Sequence, residues 1–259
     1  MSHVTERLRF ARPLLPRTRR PRRILAGPLR GCRLVTSWYE YPAGLLGYTE
    51  SSLLRWLAAS VRPGQTWLDI GAHYGYTALA LARLVGPSGR VFAFEPVPST
   101  VECLRETRRI NHLDQLRVVP LGLAEPDNPG HINVALERGM ANPLTKAASG
   151  VSKVTVACLD QVWDDLSEGD TRVHGVKMDV QGMELLSLQG MRSTLMAHRP
   201  RLALEFHAGV DRDAVVSLLT GYGYRLPGTP LTRSSEAGGQ YLDDHTYVFS
   251  STVGTRDGR

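Results

Sequence analysis

Residues 66–77 read TWLDIGAHYGYT, and this stretch decides the fold. The apolar run at 66–70 is short and meets a glycine turn, which predicts a buried parallel strand. After Gly75 the apolar residues recur at helical spacing, and residues 91–96, VFAFEP, form a second apolar run that ends in an acid. Strand, glycine turn, helix and second strand together predict an α/β sheet that binds its ligand at the carboxyl ends of the strands.

The glycine turn restricts the ligand that it can hold. A dinucleotide fingerprint needs glycine at its second position so that a diphosphate can approach the backbone, and His73 occupies that position. Gly71 and Gly75 still allow a tight turn and close helix packing. Glu95 lies twenty residues beyond Gly75, where a carboxylate can accept hydrogen bonds from both hydroxyls of a ribose. Asp69 is left for another polar or cationic part of the ligand.

S-adenosylmethionine meets these requirements because it has a ribose, no phosphate and a cationic tail. The predicted cofactor site also takes in Pro96, after the ribose carboxylate, and Gly122, after the third strand. Two other interpretations stay open. In one, the turn is an ordinary strand–helix connection in which Asp69 caps the helix; in the other, the chain is a nicotinamide-dependent oxidoreductase, which His73 disfavours.

Further blocks of sequence follow the turn in a fixed order and spacing. They are YEY at 39–41, GYTE at 47–50, FEP at 94–96, NHL at 111–113, LD at 159–160, VKMDVQGME at 176–184, LQG at 188–190 and LALEFH at 202–207. From about residue 38 to residue 207 the chain resembles the FkbM family of S-adenosylmethionine-dependent methyltransferases. It departs from the family's pattern at Gln181, where many members carry Glu, and at His73, where Asn is commoner.

The resemblance implies a seven-stranded class I methyltransferase sheet, doubly wound and Rossmann-like, with a C-terminal antiparallel pair. Apolar patterning independently predicts alternating strands and helices. We expect strands at 66–70, 91–94, 116–121, 173–180 and 201–206, helices from 51, 76, 97, 183 and 210, and the terminal pair at 224–226 and 241–249. Residues 122–150 are expected to be an insertion with a short strand at 131–136, and residues 151–159 are expected to be an edge strand or a hairpin partner.

The candidate catalytic residues are Asp179 and His207, each at the end of a predicted strand. A hydroxyl acceptor needs a base that removes its proton during methyl transfer, and a carboxylate or an imidazole can do so. Asp179, Glu205 and His207 are also an oxygen and imidazole set that suits magnesium or manganese, so metal dependence stays open. Lys177 is expected on the other face of its strand, in a structural role.

The N-terminal segment is strongly basic. Residues 1–33 carry ten arginines and one acid, a net charge of +9, whereas the whole chain carries +6, so the remainder carries −3. Such a segment can contact nucleic acid or an anionic membrane, although a solvated arm is the simpler interpretation. We expect a partly ordered extension at 1–36, a methyltransferase domain at 37–250 and a flexible tail at 251–259.

Composition limits the classes of function that remain possible. No apolar run reaches transmembrane length or resembles a secretory signal, and three isolated cysteines predict neither a disulfide framework nor a zinc site. These features predict a cytoplasmic protein. The resemblance implies O-methylation of a sugar or secondary metabolite, so a small-molecule acceptor is expected. A non-catalytic protein that binds nucleic acid through its arginines is the alternative outside enzymology.

Overall fold

The computed structural model describes residues 14–137, 139–141, 150–169, 172–232 and 241–251, and a seven-stranded sheet lies at its centre. In chain order the elements are β1 (Arg20–Arg23), β2 (Arg33–Thr36), α1 (Pro42–Leu46), α2 (Ser51–Ser60), β3 (Thr66–Ile70), α3 (Tyr76–Val85), β4 (Arg90–Phe94), α4 (Pro98–Ile110), β5 (Leu116–Val119), β6 (Gly122–Leu123), β7 (Gly130–Glu137), β8 (Met140–Ala141), β9 (Gly150–Ala157), α5 (Leu159–Ser167), β10 (Gly175–Met178), α6 (Glu184–Gln189), α7 (Arg192–His198), β11 (Arg201–Phe206), α8 (Arg212–Gly221), β12 (Thr229–Pro230) and β13 (His245–Phe249).

The strand order of the central sheet is β12-β13-β11-β10-β3-β4-β5. The five strands from β11 to β5 are parallel, and β13 pairs antiparallel with both β11 and β12. The chain reverses its direction of winding between β3 and β10, which places a ligand crevice beyond the carboxyl ends of these two strands. The predicted doubly wound seven-stranded sheet with an antiparallel pair is confirmed.

Strand β3 is buried along its whole length because helices cover both faces of the sheet. Trp67 faces one apolar cluster with Leu79 and Leu81 of α3, whereas Leu68 and Phe92 face the other cluster. This two-sided burial explains why β3 is a continuous apolar run interrupted by a single acid. The acid, Asp69, therefore needs a specific partner inside the protein.

A second, smaller sheet forms from the segment that was expected to be an insertion. Its order is β6-β9-β7-β8, and β7 pairs antiparallel with β9 over seven residue pairs. Val134, Val154 and Val156 are buried in a small apolar cluster on this sheet. The predicted strands at 131–136 and 151–159 are therefore two neighbours in one sheet. Residues 142–149, which are also part of that predicted insertion, lie outside the described residues.

Three sequence predictions differ from the structure. The first strand of the terminal pair is β12 at 229–230, while Tyr224 makes only an isolated bridge to Ser251. The helix expected after Gly182 is two helices, α6 and α7, separated at Gly190–Met191. Helix α5 at 159–167 was not predicted. Apolar periodicity locates such elements poorly, because the breaks depend on what each segment packs against.

The arginine-rich segment contributes an antiparallel hairpin, β1 with β2. The hairpin packs on α4. The side chain of Asn111 accepts a hydrogen bond from the backbone N–H of Arg33 and donates one to its carbonyl oxygen, and Val35 donates its backbone N–H to Thr107 Oγ1. The division at residue 36 stays a prediction, and residues 1–13 and 252–259 lie outside the described part of the chain. No helix among the described residues is long and apolar enough to cross a membrane.

Candidate active site

A cavity of about 1150 Å³, counted to its open mouth, lies beyond the carboxyl ends of the central strands. Its lining comes from the glycine turn, from the loops after β4, β5 and β10, from the second sheet and from the segment before α2. The lining residues that the argument uses are Tyr41, Glu50, Gly71, His73, Tyr76, Glu95, Pro96, Gly122, Ile132, Val134, Val154, Val156, Lys177, Asp179 and Gln181.

The glycine turn forms one wall of this cavity. Gly71 has φ +78°, and a Cβ there would collide with the backbone carbonyl of Asp179, so only glycine lets these two loops approach. Gly75 also has positive φ, but its missing Cβ makes room for Leu104 of α4, and it is not a lining residue. His73 lines the cavity, and its ring stacks edge-on against Tyr41. The turn thus contributes Gly71 and His73 to the cavity wall, while Gly75 allows close packing against α4.

Glu95 is buried at the floor of the cavity. Its two carboxylate oxygens accept hydrogen bonds from the backbone N–H groups of His73, at 2.9 Å, and Val97, at 3.0 Å. Burial raises the pKa of Glu95 to about 7 although both bonds favour the charged form. The carboxylate therefore lies directly beside the glycine turn, with Pro96 and Gly122 next to it in the lining.

Lys177 connects the two acids of the central strands. It lies in register with Asp69 on the neighbouring strand, and its Nζ is 3.3 Å from Asp69 Oδ1 and 3.6 Å from Asp179 Oδ2. Nζ also donates to the carbonyl oxygen of Gly71 at 3.0 Å. Burial lowers the pKa of Lys177, but the charges of Asp69 and Asp179 outweigh it and raise the pKa overall. The lysine is therefore a fixed cation at neutral pH.

His207 completes the charged group from β11. Its Nδ1 lies 2.6 Å from Glu184 Oε1, and its Nε2 lies 3.4 Å from Asp179 Oδ1. Gln181 Nε2 donates to Asp179 Oδ1 at 3.0 Å and lies 2.8 Å from His207 Nε2. Burial opposes the imidazolium, but the bond to Glu184 and the nearby carboxylates raise the pKa of His207 to about 9. His207 therefore carries a positive charge at neutral pH.

The two cations hold Asp179 ionised. Burial alone would raise its pKa, yet Lys177 and His207 lower it below the usual range. Glu205 behaves in the opposite way: burial and the charge of Asp179 raise its pKa to about 8. Asp179, Glu205 and His207 each place a donor atom within 4.8 Å of the other two, so the set expected for a metal does converge. Because His207 is cationic, a metal ion would have to displace a proton there.

Three non-glycine lining residues have left-handed backbone conformations. They are Glu50 at φ +53°, His73 at φ +51° and Gln181 at φ +54°. Such conformations cost about 1–3 kcal/mol each and cluster at functional sites. Their coincidence in one cavity marks it as the functional site independently of the charges.

The structure gathers most of the sequence-predicted residues around one cavity. Gly71, His73, Glu95, Pro96, Gly122 and Asp179 line it, whereas Asp69, Gly75, Glu205 and His207 stand behind the lining. Lys177 does lie on the opposite face of β10 from its apolar neighbours; that face carries Asp69 and borders the cavity, and the structural role of Lys177 stays a prediction.

Sequence reasoning missed Glu50, Tyr41 and Glu184 as parts of the charged site. Burial and the charge of Asp179 raise the pKa of Glu50, and both acids line the cavity. Glu184 bonds His207. The blocks at 39–41, 47–50 and 176–184 contained these residues, but no spacing rule joins them.

A glycine turn after the first strand, an acid at the end of the second and a seven-stranded sheet with an antiparallel edge define the class I methyltransferase fold. A sequence model of the Methyltransferase FkbM domain matches residues 69–226, which is more than half of the chain. The protein belongs to the FkbM methyltransferase family. S-adenosylmethionine is the cofactor of this family and fold.

Known proteins resemble the chain in part. A ribosomal protein L11 methyltransferase of Burkholderia mallei is 34% identical over 101 residues, 39% of this chain and 32% of that protein. The chain therefore matches about a third of the length of such curated relatives. A Clostridium thermocellum protein to which rRNA methylase activity is attributed superposes with a TM-score of 0.50 at 15% identity, covering 77% of this chain and 92% of that one. An FkbM methyltransferase of Methylobacillus flagellatus superposes with a TM-score of 0.48 at 19% identity, covering 76% of this chain and 50% of that one.

Proposed function

We propose that this protein is an S-adenosylmethionine-dependent O-methyltransferase that acts on a hydroxyl group of a sugar or secondary metabolite. The observation that carries the proposal is Asp179, a carboxylate that faces the cavity beside the glycine turn and is held ionised by Lys177 and His207. An ionised acid at this place can accept the proton of a hydroxyl.

The donor side of the cavity fits S-adenosylmethionine. At Gly71 the glycine turn lies against the backbone of Asp179, Glu95 offers a carboxylate for ribose hydroxyls, and the His73 side chain stands where a diphosphate would need bare backbone. Pro96 and Gly122 would contact the nucleoside from the other side. When bound, the cofactor supplies an electrophilic methyl group on a sulfonium ion.

The acceptor side combines apolar and charged walls. Ile132, Val134 and Val154 of the second sheet line the same cavity as the acids Glu50 and Asp179. Apolar sheet residues can cover one side of a small ring while carboxylates accept hydrogen bonds from hydroxyl groups. This pairing supports a small polyhydroxylated acceptor.

Proton removal is assigned to Asp179, with His207 as a positioning residue. The hydroxyl would donate to Asp179, and the imidazolium of His207 would keep that carboxylate charged until transfer. His207 itself is bonded to Glu184 and lies behind the lining. A divalent metal bound by Asp179, Glu205 and His207 is the alternative, and it would have to displace the proton on His207.

The experiment compares Asp179→Asn with Glu95→Ala. S-adenosylhomocysteine binding is measured by calorimetry, and methyl transfer is measured with labelled S-adenosylmethionine and a panel of glycosides and phenols. Asp179→Asn is expected to lower turnover about 10²–10⁴-fold, the usual contribution of a general base, with little effect on binding. Glu95→Ala is expected to weaken binding itself.

Three results would count against the proposal. Unchanged turnover in Asp179→Asn would remove the assigned base. Binding of NAD in place of S-adenosylhomocysteine would favour the oxidoreductase alternative. Transfer to RNA or protein with no transfer to small molecules would move the acceptor to a different class while leaving the donor site intact.

A further inference from the structure

The arginine hairpin, residues 17–36, presents an unusual charge distribution on the surface. It contains seven arginines, and the sequence has no acid between Glu6 and Glu40. Of these arginines, Arg19 is paired with Glu40, and Arg22 is half-buried against backbone carbonyls. The other five, at 17, 20, 23, 30 and 33, are exposed.

Among the residues that the structure describes, the one ion pair of the hairpin is that between Arg19 and Glu40, which leaves the repulsion among its other arginines in place. Arg23 lies directly opposite Arg33 in the strand register, an arrangement of like charges that destabilises a sheet. The acids of the adjacent helix α4, Glu102 and Glu106, are each paired with an arginine of that same helix. The cost of crowding these cations is offset when an external anion lies against them.

Apolar side chains stand exposed beside the arginines. Leu25 follows β1 and is 53% exposed, and Leu14 is 88% exposed. The backbone of Leu25 donates to Leu45, and Gly47 packs against Ala26. Tyr48, the next residue, is 66% exposed. Exposed arginine, leucine and tyrosine residues in one neighbourhood of the chain are the combination found where proteins lie at a bilayer interface.

We propose that the arginine hairpin, together with Leu25 and Tyr48, docks on the anionic surface of a lipid bilayer. The guanidinium groups would pair with lipid phosphates, and the two apolar side chains would enter the boundary between headgroups and acyl chains. A nucleic acid would use the arginines but would gain nothing from an exposed leucine. Tyr41 and Glu50, on either side of Tyr48 in sequence, line the cavity, so docking brings the cavity close to the bilayer.

The test is cosedimentation of the full-length chain with lipid vesicles. Vesicles of phosphatidylcholine alone are compared with vesicles that also contain phosphatidylglycerol, as sodium chloride is raised. Binding is expected only to the anionic vesicles and should weaken with salt. Absence of binding to the anionic vesicles at low salt would overturn the proposal. The assay contains neither methyl donor nor acceptor, so its outcome is independent of the proposed function.

The variant Arg20→Ser/Arg23→Ser/Arg33→Ser tests the placement of the charge. Each arginine near an anionic surface contributes about fivefold in affinity, so the triple variant should bind on the order of 100-fold more weakly.

A matched control removes the same charge elsewhere, from the exposed Arg55, Arg172 and Arg192. The control should retain binding within a few-fold. Equal losses in the two triple variants would indicate a general attraction between a cationic protein and an anionic surface, and would overturn the assignment to the hairpin.

Leu25→Ser/Tyr48→Ser separates a bilayer from a nucleic acid. Loss of two inserted side chains should weaken vesicle binding about tenfold or more. The control Val151→Ser/Met196→Ser, which removes exposed apolar groups elsewhere, should have little effect. If Leu25→Ser/Tyr48→Ser leaves vesicle binding unchanged while the wild-type chain binds a short RNA through the hairpin arginines, the surface is a nucleic-acid site and the proposal fails.

Discussion

Replacing Lys177 with Met tests the charged centre of the site most directly. The substitution keeps the length of the side chain and removes the cation that stands 3.3 Å from Asp69, a carboxylate with no exposed surface. At an effective dielectric constant of about 20, the attraction over that distance is about 5 kcal/mol. Protonation limits the loss, because neutralising an ordinary aspartate near pH 7 costs about 4 kcal/mol. We expect Lys177→Met to lower the free energy of unfolding by about 2–4 kcal/mol near pH 7, because protonation of Asp69 sets the upper limit.

The pH dependence of this loss gives a second readout. Without Lys177 the folded-state pKa of Asp69, already raised by burial, rises further above its unfolded value. The folded state then binds a proton more tightly than the unfolded state, so the variant loses stability as the pH rises. The loss should be at most about 1.5 kcal/mol near pH 5 and at most about 4 kcal/mol near pH 7, because protonation costs less at the lower pH.

Urea unfolding followed by circular dichroism measures both values. The double variant Lys177→Met/Asp69→Asn is the matched control, since an amide of the same shape removes the buried charge and should recover most of the loss. A loss below about 1 kcal/mol near pH 7, or no recovery in the double variant, would refute the reasoning. If the single variant does not fold, the double variant still tests whether the unpaired charge of Asp69 causes the loss, because the stability of the double variant should remain measurable.

Three further predictions concern the ligand site. Gly71→Ala should abolish S-adenosylhomocysteine binding in calorimetry. The control Gly31→Ala changes a residue with a similar positive φ but open space around its Cβ, so it should show only backbone strain of about 1–2 kcal/mol in unfolding. Equal binding by the two variants would contradict the requirement for glycine at residue 71. The affinity for S-adenosylhomocysteine should increase as the pH rises through about 7, where Glu95 ionises, and Glu95→Gln should flatten that profile. Removal of divalent metal with EDTA should leave turnover unchanged at neutral pH because His207 holds a proton; a loss restored by magnesium would show a metal there.

Local sequence predicts the donor half of the site well. The strand at 66–70, Gly71 and Glu95 lie close together along the chain, and the strand–turn–helix unit that contains them folds in only one way around a glycine turn. The positive φ of Gly71 and the lining position of Glu95 agree with the chemistry expected of them. The predicted bounds of β3 and β11 also match the structure.

The acceptor half could not be predicted in the same way. Glu50 lies at the start of α2, Lys177 within β10 and His207 after β11, and no short-range spacing relates them. Periodicity correctly places Lys177 on the opposite face from Val176 and Met178. It does not reveal that this face is shared with Asp69, since that contact depends on the register between two strands more than a hundred residues apart.

The sequence by itself determined the class of fold, the glycine turn and the kind of donor, because these depend on residues that are neighbours in the chain. Only the tertiary structure decided the protonation states around Asp179. Lys177 and His207 come from different strands, and their combined charge lowers the pKa of that carboxylate although burial alone would raise it. The pKa of a carboxylate depends on every charge within a few ångströms, and Asp179 acquires those neighbours only when the strands of the sheet assemble.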